Sequence, residues 1–149
     1  MPRSRRWTEL AADDGSASIE FLTVGMLLTV PLVYLVLAMS QLQAATLAVE
    51  GAARQAARVV AAADDHASGM AAADAAIAVA LADQGLDAAS IDVACGPEPA
   101  DCTARGGTVQ VAVEVVVPLP LIPPVLDLDV GLSVPISAQA AQPVSDLRP

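Results

Sequence analysis

Asp13 Asp14 Gly15 Ser16 Ala17 Ser18 Ile19 Glu20 Phe21 is the point at which a short charged leader meets a long apolar run. Downstream, Phe21 to Val49 carries no charged side chain and is bounded by Glu20 and Glu50. As a helix that run is about 43 Å long, and its greasier part, Phe21 to Leu42, covers the ~20 residues that cross a bilayer. One membrane span is expected. Pro31 falls inside it, where a membrane helix tolerates a kink if neighbours satisfy the freed carbonyl, so the pattern predicts one bent helix and not two segments.

The flanks suggest an orientation. Arg3, Arg5 and Arg6 precede the span, whereas Arg54 and Arg58 come a dozen or more residues after its end, which favours a cytoplasmic N-terminus. The rest of the chain would then be extracytoplasmic. Cys95 and Cys102 agree with that placement. The intervening Gly96 Pro97 Glu98 Pro99 Ala100 Asp101 can fold back as a tight loop, and a disulfide across it needs an oxidising compartment. The other reading is two free thiols in a reducing one.

Composition excludes several functions. The 149 residues include seven Arg, no Lys and seventeen Asp and Glu, for a net charge of −10, and Trp7, Phe21 and Tyr34 are the only Trp, Phe and Tyr. Few cations, and no aromatic side chain from Ala44 onward, argue against nucleic-acid binding. A mean hydropathy of +0.58 is high for a soluble domain and is explained by the N-terminal run. No Gly-rich phosphate loop or Ser/His/acid arrangement appears, so no enzymatic activity is expected. Cys95, Cys102 and the lone His66 offer too few ligands for a metal, Asp127 and Asp129 lack the spacing of a calcium loop, and no cofactor is expected. His66 reads as a surface loop residue.

Glu20 is the feature that composition does not explain. A carboxylate beside a membrane helix needs a cationic partner or the interface, because burial of an unpaired charge in hydrocarbon is costly. Cutting the chain after Gly15 would create a partner: the new α-amino group of Ser16, with an unperturbed pKa of about 8, would lie one helical turn from Glu20. The same pair could join neighbouring helices.

Gly15 followed by Ser16, with Glu20 as fifth residue of the cleaved chain and Phe21 opening an apolar helix, resembles the class III signal of type IV pilins. Ile19 Glu20 Phe21, the length and the shape of the remainder resemble the TadE-like pseudopilins, minor subunits of tight-adherence (Flp) pilus systems. The resemblance implies a non-enzymatic chain whose Gly15–Ser16 bond is cut by a membrane prepilin peptidase, with Glu20 and the adjoining Phe21 used in assembly. It implies as partners that peptidase, other pilin or pseudopilin subunits, the inner-membrane assembly platform and membrane lipid. The role would be assembly of a thin pilus used in adherence, with the chain in the membrane or in a surface pilus. Such leaders commonly end in Lys or Arg, whereas Asp13 and Asp14 stand here, which bears on the efficiency of cleavage. Residues 15 to 42 carry the motif.

The remainder predicts an α+β fold. Residues 1–15 form the leader and 16–62 the transmembrane and assembly helix, Ala-rich beyond Gln43, with Glu50, Arg54 and Arg58 along one stripe. Asp64 to Gly69 reads as a break. A small extracytoplasmic domain over 63–142 then begins with a second helix from about Ser68 to Gln84, burying Met70, Ile77 and Leu81, with Gly85 as its C-cap. Three strands of an antiparallel sheet follow: Ile91, Val93 and Cys95; Val109, Val111, Val113, Val115 and Val117; and Leu128, Val130, Leu132, Val134 and Ile136. Pro118, Pro120, Pro123 and Pro124 stiffen the second connection, and Pro135 suggests an edge strand. Residues 143–149 read as a flexible tail. Two other readings stay open: an uncleaved signal-anchored structural protein without a pilus role, and a secreted protein cut at Ala38 Met39 Ser40.

Overall fold

The computed structural model of the protein describes residues 14–120 and 133–146. The fold is α+β, with element order α1 (Asp14–Ala62), α2 (His66–Ala82), β1 (Ala88–Gly96), β2 (Thr108–Pro118) and β3 (Ser133–Pro143). The chain divides into two compact units, Met1–Met39 and Ser40–Pro149.

In the first unit the described part is helix alone. α1 runs through Pro31 without interruption. Phe21, Leu22, Met26, Leu27 and Leu28 are each two-thirds or more exposed. The most apolar window of the helix is only 6% buried, unlike the core helix of a soluble domain, and α1 is long and apolar enough to cross a membrane.

In the second unit the continuation of α1 contributes eight residues to the core. Ala45, Val49, Ala52, Ala53, Ala56, Ala57, Val60 and Ala61 recur at intervals of three and four and are all buried. They form one cluster with Ala73, Ile77 and Leu81 of α2 and with Val109, Val111, Val113, Val115 and Val117 of β2. Alanine on the helix side lets the backbones approach closely, while β-branched valine suits the pleated strand. Gln41 of α1 donates from Nε2 to the carbonyl of Pro118 at 3.2 Å, fastening the helix to the end of β2.

The sheet order is β1-β2-β3, and both pairings are antiparallel. β2 is the central strand, and its five alternate valines face the core as the period of two requires. Ile91, Val93 and Cys95 stand opposite Val113, Val111 and Val109 and so share that face, although Ile91 remains 39% exposed at its margin. Pro135 and Pro143 lie in β3, which is an edge strand as expected of a proline-containing one. Val134 and Ile136 are half-buried on the inner side; Leu128, Val130, Leu132, Asp127, Asp129, Pro123 and Pro124 lie outside the described residues.

Three expectations need correction. α2 starts at His66, two residues before Ser68, because Asp65 is its N-cap: an Asp65 Oδ1 accepts the Ser68 N–H at 2.9 Å. The break between helices is therefore shorter than Asp64–Gly69, and His66 sits in a helical turn, not a loop. The buried stripe of α2 is Gly69, Ala73, Ile77 and Leu81, with Met70 only half-buried beside it. Gly69 is there because the connection after α1 comes close: a Cβ on it would lie 2.9 Å from the Cβ of Ala63, with the Val60 Cα of α1 at 3.5 Å. Finally, the segment after Gln142 is held for longer than a loose tail would be. β3 includes Pro143, and Val144 is 3% exposed with its N–H donating to the Gly107 carbonyl at 2.9 Å.

α2 ends at Ala82 with Asp83 as its C-cap, two residues before the expected Gln84, and the glycine turn follows it. Gly85 has φ +64°, its N–H donates to the Ala82 carbonyl, and the Leu86 N–H reaches back to Leu81. Leu81 and Leu86 are both in the core, giving the apolar contact that accompanies this glycine-terminated ending.

Candidate processing and assembly site

Gly15 and Ser16 lie in the first turn of α1. The bond between them is thus at a helix end, where amides lack internal acceptors and the backbone frays at low cost. Glycine adds no side chain there and loses little on unwinding. Glu20 and Phe21 follow on the same helix; Glu20 is exposed and Phe21 is 78% exposed. Among the described residues Glu20 makes no ion pair, the one salt bridge being Arg54–Glu50. Nearby, Thr23 donates its hydroxyl to the Ile19 carbonyl at 2.8 Å, leaving the hydroxyl no part in pairing with Glu20.

Four residues of helix between Ser16 and Glu20 amount to an axial rise of about 6 Å. An amine at Ser16 and the Glu20 carboxylate would therefore reach one another within a helix, or between two helices slightly offset. Arg54 pairs with Glu50 at 3.1 Å, both side chains roughly half exposed, so that pair contributes little to stability. Arg58 is exposed on the same stripe.

The second group of site residues is closed covalently. Cys95 and Cys102 are joined by a disulfide with their Cα atoms 5.0 Å apart. Cys95 is the penultimate residue of β1 and Cys102 is buried, so the bridge ties the edge strand to the core. The enclosed loop contains a cis Gly96–Pro97 bond. Asp101 organises its far side, accepting from the Thr103 hydroxyl at 2.6 Å and the Thr103 N–H at 2.8 Å. These bonds hold the Asp101 carboxyl below the usual carboxylate range, the hydroxyl contributing most. Asp65 is lowered similarly, first by the Ser68 N–H and then by its hydroxyl.

One contact was not legible in the sequence. The N–H of Cys102 donates to Nδ1 of His66 at 3.4 Å, joining residues far apart in the chain. The Asp65–Ser68 cap did have a signal, an Asp three residues before a Ser ahead of an Ala-rich run. Among the described residues, no three or more His, Cys, Asp or Glu side chains are grouped to hold a metal ion.

Comparison with family models, with curated proteins and with solved structures returns no match for this chain.

Proposed function

We propose that the chain is a TadE-like minor pilin, anchored by α1 in the inner membrane, cut after Gly15 by a prepilin peptidase, and taken into a thin Flp-type pilus that serves adherence. The observation that carries the reading is Glu20: an exposed acid at the head of an uninterrupted apolar helix, four residues beyond the candidate new N-terminus.

Before cleavage the leader keeps its arginines on the cytoplasmic side and α1 spans the bilayer. Cleavage leaves a cationic amine on Ser16, at the positive end of the helix dipole, and one turn from Glu20. Within a subunit the two charges neutralise each other. Between subunits the Glu20 carboxylate takes the amine of a neighbour, which fixes how far one helix is offset from the next. The chain performs no catalysis; it is the peptidase's substrate and then a structural part. The disulfide supports an extracytoplasmic second unit, because such bonds persist in oxidising compartments.

Trp7 is the only tryptophan and lies in the leader. Coexpression with a prepilin peptidase is expected to abolish indole emission from the purified chain, whereas emission that persists with an active peptidase would reject processing after Gly15.

A further inference from the structure

Between Thr23 and Tyr34, α1 carries two polar groups whose ordinary partners are missing. Pro31 has no N–H, so the carbonyl of Leu27, four residues earlier, loses its helix-internal donor. Leu27, Val30 and Pro31 line a shallow groove on this face together with Thr23 and Met26. Tyr34 is seven residues beyond Leu27, two helical turns on, and so falls on the same face. It is half-buried, whereas Val33 and Leu35 beside it are 51% and 56% exposed. Its hydroxyl makes no hydrogen bond to any of the described residues. The other hydroxyl on the face, that of Thr23, already donates to Ile19.

In water both orphan groups would be hydrated. In hydrocarbon neither is, and each is costly until a partner arrives. One is an acceptor and the other a donor.

We propose that α1 associates with a second copy of itself through this face, the Tyr34 hydroxyl of one copy donating to the Leu27 carbonyl of the next. Lipid tails can satisfy neither group, whereas a second copy supplies both halves of the bond. Copies inserted in one orientation are parallel. Leu27 and Tyr34 are about 10 Å apart along the axis, so the two helices are offset. Because both groups lie on one face, a parallel offset pair makes one such bond and leaves one carbonyl and one hydroxyl at its two ends. The inference rests on α1 being the membrane helix of an assembling subunit, and gives that helix a contact independent of Glu20.

The test uses the full chain, labelled beyond its C-terminus with donor or acceptor fluorophores and reconstituted in phosphatidylcholine vesicles. Energy transfer is followed as protein is diluted into lipid. Tyr34→Phe removes the donor and is expected to weaken self-association about three- to fifteen-fold, the range of a membrane hydrogen bond. Pro31→Ala restores the internal N–H and is expected to weaken it similarly. The double variant should be no weaker than the weaker single one. Association indifferent to Tyr34→Phe, or effects of the two substitutions that multiply, would overturn the contact. Alkaline extraction of the same vesicles separates the two levels. If the unsubstituted chain is extracted, α1 is not a span and the functional reading falls together with the contact. If all chains stay inserted and association ignores Tyr34, the contact alone falls.

Discussion

The N–H of Cys102 donates to Nδ1 of His66 across 3.4 Å, so the disulfide loop is fastened to the first turn of α2 as well as to β1. Two attachments of different strength act on one loop. Replacing Cys95 and Cys102 together by Ser is expected to lower stability by roughly 2 to 2.5 kcal/mol, the chain-entropy value for so small a ring. His66→Ala removes one part-buried hydrogen bond and should cost about 0.5 to 1.5 kcal/mol. Denaturant midpoints of the three chains in detergent would give the order.

Acid should weaken the second unit through two identified carboxylates. Asp65 and Asp101 are both held below their ordinary value of 3.8 by hydrogen bonds to their charged forms. A folded pKa below the unfolded one gives stability that is complete above about pH 3.8 and is lost as the pH falls through the folded value. Asp65→Asn keeps the capping acceptor but cannot titrate. The midpoint of an Asp65→Asn, Asp101→Asn chain should therefore fall less between pH 6 and pH 2 than that of the unsubstituted chain. Parallel curves would show that these carboxylates do not set the acid limb.

Two glycines separate backbone freedom from steric need. Gly51 is exposed in α1 and a Cβ there would meet nothing within 4 Å, so Gly51→Ala should raise stability by up to about 1 kcal/mol through helix propensity. A Cβ on Gly107 would lie 2.8 Å from the Ala104 carbonyl oxygen and 3.0 Å from that of Gly96. Backbone on both sides cannot yield, and Gly107→Ala should cost about 1 to 3 kcal/mol. Thermal midpoints moving in opposite directions would check the pair.

Periodicity made most of this fold readable. The five alternating valines of β2, the i, i+4 run of α2 and the charge-free stretch of α1 each bury or expose what their spacing demands. What escaped was local chemistry that competes with periodicity. Asp65 starts α2 early because a side-chain cap outweighs the weak apolar signal of alanines, and Gly69 replaces Met70 in the buried stripe because Ala63, just after α1, lies too close for a side chain. The His66–Cys102 contact joins residues with no shared pattern. Of the candidate site, Gly15, Ser16, Glu20 and Phe21 were legible as a motif and are placed along one helix, whereas what they bind depends on other chains.

Glu20→Gln should leave membrane insertion and processing after Gly15 intact and abolish recovery of the chain in sheared filaments. Gln retains the shape and removes the charge. Filaments with the usual content of the variant would eliminate the amine–carboxylate pair as the assembly contact.

The N-terminal sequence of the chain purified from membranes, with and without a prepilin peptidase in the host, tests the central claim most directly. Processing predicts a start at Ser16 only where the peptidase is present. A start at Met1 or Pro2 in both hosts would leave an uncleaved anchored domain, and a start at Gln41 would make it a secreted protein; either contradicts the account.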